Sequence, residues 1–494
     1  MNEPSPSDDS TRTLRLALAV SVVATAAIFM LPVPLGVPGE WTWDRRPISL
    51  GRTGWLAVGV VVAAAYAFAV DRLSSRLAET RQQRAVSLGL LFVASIAVMV
   101  ALPLTVRDAT GSPRAPFVLA TPAFSGYFTE ARAIDGGTLA FLQNYESIAA
   151  EGDYLHQGTH PPGLILLYRT AFAAVRSVPG LRGLLENTRL FSTDIAMVTM
   201  SEIYGSMNLG PDDFAVLQLV DWITLVAAAV CGSLIMLLLR PLMPFDRAIR
   251  WAGAWPLVPA LAVFHPKSDL LLPLFPLAVA VCWLRANREQ SVTAAAISGC
   301  VAFVGLILSL AVLPAYAGVL VASLAAWSRR PPVRLLVAGA AGVVVPILLL
   351  AIAGVNMPAI WRLNLANHAA FYDHSPRTYL AWLPVNLVEG AVAIGLPLFV
   401  AAAVSRAWQW TCETRTIAGV LAAWTLLWLS GKNMGEAARL WIVLDPWAVL
   451  TVAAASAGMS RRNLRTVLVA AAMTSAITVH SVDGFNFSLF QGGR

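Results

Sequence analysis

The chain reads as an all-α polytopic membrane protein of about 13 transmembrane helices, with a large extracytoplasmic loop that contains surface helices. Three observations predict this. Of its 494 residues, 57% are hydrophobic and 13% charged, against roughly a quarter charged in a soluble domain. Mean hydropathy is +0.67. Apolar runs of about 17–25 residues recur along the chain, the length needed to cross hydrocarbon. Helices satisfy their own backbone there, and open loops do not.

The arginines orient the runs. Residues 1–13 are polar and are expected to be disordered. Runs follow at 14–36, 53–70 and 86–106. The first is too long for a signal-peptide core and further spans follow it, so it is read as a retained helix. The next loop carries Arg72, Arg76, Arg81 and Arg84, which the positive-inside rule assigns to the cytoplasm. Residues 107–213 then lie outside. So does the 38–52 loop with Arg45, Arg46 and Arg52, the one clear violation of the rule.

Downstream, spans near 214–240, 251–265, 270–284, 291–309, 311–327, 335–354, 381–404, 416–430, 440–458 and 464–481 keep the phase. Their expected inner ends hold Arg240, Arg247, Arg250, Arg285, Arg288, Arg329, Arg330, Arg334, Arg406, Arg415, Arg461, Arg462 and Arg465. Residues 482–494 form an outer tail. The segment 161–178 carries Arg169 and Arg176 on one helical face. Counted as a span it would invert every later loop, so it is read as an amphipathic surface helix. Residues 187–208, with Arg189, Asp194 and Glu202, are read as a second. On this topology all six histidines (156, 160, 265, 368, 374 and 480) and both lysines, Lys267 and Lys432, fall outside.

Composition also excludes classes. The net charge of +7 comes from arginine spread over helix ends, and no basic run of the kind that tracks a phosphate backbone occurs. No nucleic acid is expected. Cys231, Cys282, Cys300 and Cys412 lie in apolar runs or the cytoplasmic segment, with no CxxC. A disulfide framework and a thiolate zinc site are therefore not expected. Two lysines against 33 arginines, with abundant Ala and Val, point to a GC-rich bacterial genome.

Chemistry concentrates in residues 127–163. Glu130, at the membrane surface, suits a general base for an acceptor hydroxyl, although a lone loop acid is often merely solvated. Asp135 competes for the role. Pro161 and Pro162 start a helix and hold His160 in extended backbone, as an ordinary loop-to-helix junction also would. His156 and His160, four apart, would ligate zinc if helical, but Gly158 and the prolines argue against helix.

A second cluster is His265-Pro266-Lys267-Ser268-Asp269. Charges so near hydrocarbon are costly and often functional. Lys267 suits a phosphate, and Asp269 a metal or a sugar hydroxyl. A Lys–Asp pair at a helix boundary is the plainer alternative. The third cluster, 430–446, sets Lys432, Glu436 and Arg439 at a span entrance, with Asp445 deeper. Arg439 either pairs with Glu436 or forks a phosphate. His368 and Tyr372 lie in an aromatic, hydrogen-bonding loop that suits a sugar or an interfacial belt. Asp221 and Glu389 are embedded in spans and are read as satisfied within the bundle.

With these motifs in order, the chain resembles the GT-C superfamily of membrane glycosyltransferases: protein O-mannosyltransferases, aminoarabinose transferases, and actinobacterial arabinosyl- and mannosyltransferases. Tyr127-Phe-Thr-Glu130 looks like the acidic motif of the first large outer loop, and His160-Pro161-Pro162-Gly163 like its Pro-Pro motif. Asp269 falls where a second acid is expected. Gly435 to Trp441 looks like segments in uncharacterised bacterial members. The usual Asp-Glu pair is here Thr129-Glu130, and the loop follows the third span rather than the first.

The resemblance covers roughly 107–460. It implies transfer of a sugar from a polyprenyl-phosphate donor, on the outer face of a bacterial plasma membrane, to a hydroxyl of a glycan, lipid or protein in cell-envelope assembly. Glu130 or Asp135 would be the base, and Asp269 a further catalytic acid. Tyr127, His160, His265, Lys267, His368, Tyr372, Lys432, Glu436 and Arg439 would bind substrate. Some members use a divalent metal ion, for which Glu130, Asp269, His156 and His160 are the candidates. The alternatives are a transporter or flippase for a lipid-linked sugar, which needs polar residues or broken helices at mid-membrane, and a scaffold that binds a partner through the outer loop.

Overall fold

A computed structural model describes residues 8–31, 34–46, 49–76, 80–106, 115–122, 124–134, 136–153, 156–188, 209–326, 332–405 and 407–485. The chain enters through α1 (Asp8–Met30), a short hairpin of β1 (Gly36–Val37) and β2 (Trp41–Thr42), and β3 (Asp44–Arg45). Then come α2 (Leu50–Arg76) and α3 (Arg81–Leu104). Between α3 and the next long helix lie α4 (Ala115–Ala120), α5 (Tyr127–Ala133), α6 (Thr138–Ala150), α7 (Gly163–Ser177) and α8 (Leu181–Asn187).

The bundle continues with α9 (Pro211–Leu239), α10 (Phe245–Ala252), α11 (Pro259–Val263), α12 (Leu274–Glu289), α13 (Val292–Leu308), α14 (Leu313–Ala326) and α15 (Val333–Ile352). It closes with α16 (Met357–His374), α17 (Tyr379–Ile394), α18 (Leu396–Val404), α19 (Cys412–Leu429), α20 (Ala437–Leu440), α21 (Asp445–Ala455), α22 (Arg461–Ser481) and β4 (Val482–Asp483).

The protein is thus helical. Among the described residues seven helices are long and apolar enough to cross a membrane, or nine if the bent pairs α7–α8 (105°) and α17–α18 (94°) each count as one. Local sequence sets their ends. Thr80 and Gln83 cap α3 reciprocally: the Thr80 hydroxyl accepts from the Gln83 amide at 3.1 Å, and the Gln83 side chain from the Thr80 amide at 3.0 Å. Gly210-Pro211 opens α9, where the Asp213 carboxylate accepts from the Gly210 amide at 2.8 Å.

The expected span at 251–265 is not one helix. It is broken into α10, a 3₁₀ turn at Trp255–Leu257, α11 and a second 3₁₀ turn at Ser268–Leu271. Pro256, Pro259, Pro266 and Pro273 remove amide donors through this stretch. Every residue from 248 to 268 is buried in protein, the one setting in which irregular backbone is tolerated at membrane depth. The span expected at 440–458 is also shorter, an 11-residue α21 beginning at Asp445-Pro446.

α7 matches the amphipathic helix expected there. Leu164, Ile165, Tyr168, Ala171, Phe172 and Val175 form its buried stripe. Arg169 donates to the carbonyls of Ile134 (3.2 Å) and Gly136 (2.7 Å), and Arg176 lies 3.8 Å from Asp212. The second surface helix, expected at 187–208, lies beyond Thr188 outside the described residues.

Contacts gather at two ends of the bundle. At one, Glu40 of the hairpin accepts from the Thr378 amide and from Trp382 Nε1 (2.6 Å), Arg377 donates to the Glu40 carbonyl (2.7 Å), and Trp41 packs on Trp382. Beside it β3 pairs antiparallel with β4, and Arg46 meets Asp483 at 2.8 Å. Arg46 is 8% exposed, so this arginine of the 38–52 loop is a neutralised structural group, which accounts for part of the charge anomaly. At the other end Asp71 binds both Arg250 (3.0 Å) and Arg465 (2.6 Å), while Asp246 binds Arg250 (3.2 Å) and Arg461 (3.0 Å).

The Asp71 network ties α2, α10 and α22, and Arg250 is 1% exposed within it. Removing one partner of a buried pair leaves an uncompensated charge. Asp71→Ala is expected to lower stability by about 3 kcal/mol, and adding Arg250→Met recovers part of the loss. Denaturant titration in detergent measures both.

Candidate functional site

The site lies where α5, the 156–160 turn, the 264–269 turn, α16 and the 431–440 segment meet. The 156–160 turn is fixed by hydrogen bonds with three parts of the chain. Asp153 accepts from the amides of His156 (3.0 Å) and Gln157 (2.7 Å), and the His160 amide donates to the His156 carbonyl (3.1 Å). From α16, Asn364 donates to the carbonyls of Gly158 (2.7 Å) and His160 (3.1 Å), and Asn367 to those of Ala149 (2.8 Å) and Gly158 (3.0 Å). The Tyr145 hydroxyl lies 3.0 Å from the carbonyls of Gln157 and His160. Gly163 follows because its backbone abuts another helix: a Cβ there would come within 2.5 Å of the Ile307 carbonyl.

Tyr127 packs edge-on against both His156 and His160, with ring centroids 5.8 and 5.6 Å away. Burial pushes its hydroxyl well above the usual tyrosine pKa, and the nearby charge of Asp269 adds to this while Arg439 opposes it. His160 is enclosed and next to Lys267 and His368, which together bring its pKa down to about 3 and keep it neutral. Its Nδ1 sits 2.9 Å from the Thr159 hydroxyl. His368 is likewise lowered, by burial and then by Lys432.

Lys267 is the central group. It is 4% exposed, and among the described residues its ammonium has no hydrogen bond and no ion pair. Burial and then the Arg439 charge pull its pKa down to about 7, against the weaker opposing pull of Asp269 and Glu436. Arg439 donates from one guanidinium nitrogen to Glu436, and its Nε has no partner. Two buried cations thus lie within electrostatic reach of each other, and one of them, Arg439, is bonded to a single carboxylate.

The turn that carries Lys267 is anchored from behind. The Lys267 amide closes it by donating to the Phe264 carbonyl at 2.8 Å. Within it, His265 Nε2 meets Asp221 Oδ1 of α9 at 2.7 Å, both side chains buried. A carboxylate only accepts, so Nε2 carries the hydrogen. This contact engages Nε2 of His265 and ties the turn to α9.

The 431–440 segment is conformationally strained. Gly431, Asn433, Gly435 and Glu436 all have positive φ, with Glu436 at 56°. At non-glycine residues this costs about 1–2 kcal/mol, and such outliers cluster at functional sites. The Tyr372 hydroxyl accepts from the Met434 amide at 2.9 Å, so Tyr372 supports this segment. Gly435 lies against Arg377 and Trp382, the residues that Glu40 clamps.

Glu130 lies one turn beyond Tyr127, half-buried. Burial raises its pKa, a hydrogen bond with Gln157 opposes the shift, and the charge of Asp153 adds to it. On α5 it is Tyr127 that feels the charges of Asp269 and Arg439; Glu130 faces the 153–157 turn. Asp135 lies outside the described residues. Among the described residues no three His, Cys, Asp or Glu side chains gather as a metal site, so Glu130, Asp269, His156 and His160 do not form one together.

No family model matches the sequence, and a search of curated proteins finds no match.

The lowered pKa of Lys267 makes anion binding there depend on pH. Above about 7 the free ammonium loses its proton, so binding an anion there takes up one proton. Affinity for a phosphodiester, whose own charge is constant, should be flat below pH 7 and fall about tenfold per unit above it. Lys267→Arg should abolish this slope. Isothermal titration in buffers of different ionisation heat measures both affinity and proton uptake.

Proposed function

We propose that this chain is an integral membrane glycosyltransferase of the GT-C type, moving a sugar from a polyprenyl-phosphate donor to an acceptor hydroxyl at the extracytoplasmic face. The observation that carries this reading is the buried side chain of Lys267, without a hydrogen bond or ion pair among the described residues, beside Arg439, whose Nε has no partner. Two desolvated cations with unused donors fit a phosphate, and they sit at the right kind of place to stabilise charge growing on a leaving group. Tyr127 and Asp269 border the same space. They would orient the sugar.

In the proposed reaction the acceptor oxygen bonds to the anomeric carbon and the bond from that carbon to the phosphate oxygen breaks. The hydroxyl proton passes to Glu130, whose raised pKa makes it a better base than an ordinary exposed carboxylate. The lipid phosphate departs with one more negative charge, held by Lys267 and Arg439. Because that product stays in the bilayer, a mostly membrane-embedded enzyme is a sensible host for the chemistry. A topology of thirteen crossings, with the one at 251–265 made by the broken stretch between α10 and α12 instead of a single helix, belongs to the same proposal. It is supported by the way loops assigned to one side bond to each other, as Arg46 does to Asp483 and Asp71 to Arg465.

The second reading, a transporter for a lipid-linked sugar, is favoured by the broken, buried stretch between α10 and α12, whose His265 is bound to the buried Asp221 of α9.

Purified protein incubated with labelled polyprenyl-phosphate sugars and envelope acceptors should transfer label. Glu130→Gln should lower kcat by about 10²- to 10⁴-fold, and Lys267→Met should lower kcat/KM at pH 6.5. The wild-type pH profile should be bell-shaped: activity rises as Glu130 ionises and falls as Lys267 loses its proton. Label translocated across proteoliposomes without transfer would replace this reading by the second.

A further inference from the structure

The other end of the bundle holds an apolar groove that the proposed reaction does not use. It runs between α2 and α3, lined by Ala69, Val70, Leu73, Leu90, Val93 and Ala94, with the exposed Arg72 at its rim. Its volume is about 510 Å³, within the range of sites that hold small organic ligands. Leu90 and Val93 are 48% and 61% exposed, so the groove opens sideways, towards what would be lipid.

The floor is rigid. Val70 is 1% exposed and presses on Gly253, where an added Cβ would come within 2.5 Å of it. Next in sequence, Asp71 is locked by Arg250 and Arg465. Because Asp71 faces the ion network, its neighbour Arg72 is turned the other way, with its guanidinium over the Phe68 ring at 4.9 Å. Arg81, exposed at the start of α3, adds charge at this end. The groove lies about 33 Å along α2 from Leu50, at 1.5 Å per residue. That is a membrane thickness from the Arg46–Asp483 pair, so it is distinct from the anion site around Lys267.

We propose that this groove binds one acyl chain of an anionic phospholipid, with the headgroup phosphate at Arg72. Charge complementarity selects the occupant: an apolar slot of preformed shape accepts any acyl chain, and the arginine at its mouth favours a headgroup with net negative charge. The arginine distribution assigns this end to the cytoplasmic leaflet, where anionic lipid attracts juxtamembrane basic residues. The site concerns a bound lipid and does not depend on the transfer reaction.

The test is native mass spectrometry of detergent-purified wild-type protein, Arg72→Gln and Val93→Trp, each exposed to an equimolar mixture of phosphatidylglycerol and phosphatidylcholine with identical chains. Wild type should retain phosphatidylglycerol over phosphatidylcholine by about fivefold, the effect of one arginine near a charged headgroup. Arg72→Gln should bind both equally, and Val93→Trp, which fills the groove, should lose the bound lipid of either kind. Equal thermal midpoints in detergent would verify that neither change disturbs the fold. Equal retention of the two lipids by wild type, or an unchanged preference in Arg72→Gln, would overturn the proposal.

Discussion

Backbone amides and carbonyls cannot be left facing hydrocarbon, and this constraint governs the whole molecule. It is why, among the described residues, the exposed apolar surface is carried by long helices, and why the long irregular stretch between α10 and α12 is buried among other elements. Enclosing that stretch is what brings His265, Lys267 and Asp269 to a place that a straight helix would not provide. The prolines that break the helix and the burial that tolerates the break are two halves of one design. α9 supplies the wall against which the stretch is held, through Asp221.

The candidate site follows from this arrangement. A short turn fixed by His265 presents Lys267 to a space that also receives Arg439 from a strained segment and Tyr127 from α5. Each of these comes from a different part of the chain and each is braced by a neighbour: Asp221 behind His265, Glu436 beside Arg439, the two imidazoles around Tyr127. Bracing allows like charges to be kept close together. Two adjacent cations would otherwise drift apart or find water.

Much of this was legible in the sequence. The hydropathy runs located the long helices, and the arginine pattern grouped loops that do bond to one another. The short polar clusters around 130, 160, 267 and 436 marked segments that meet. What could not be read was how the clusters are supported. Asn364 and Asn367 look like ordinary helix residues until their amides are seen to hold the 158–160 turn. Asp153 is indistinguishable by sequence from the neighbouring loop acids, yet it caps that turn. The breaking of the expected 251–265 span was signalled by Pro256 and Pro259, but hydropathy outweighed them, since a buried broken helix and a spanning one are equally apolar.

The short ladder between β3 and β4 has a consequence for how the molecule is assembled. Its two strands stand more than four hundred residues apart in the chain, and Arg46 reaches its carboxylate only when Asp483 has arrived. A ribosome delivers the first partner long before the second. Throughout synthesis, then, an early connecting segment must wait with its guanidinium still in water. The clasp that secures it can close only after the more than four hundred residues between its halves have been made.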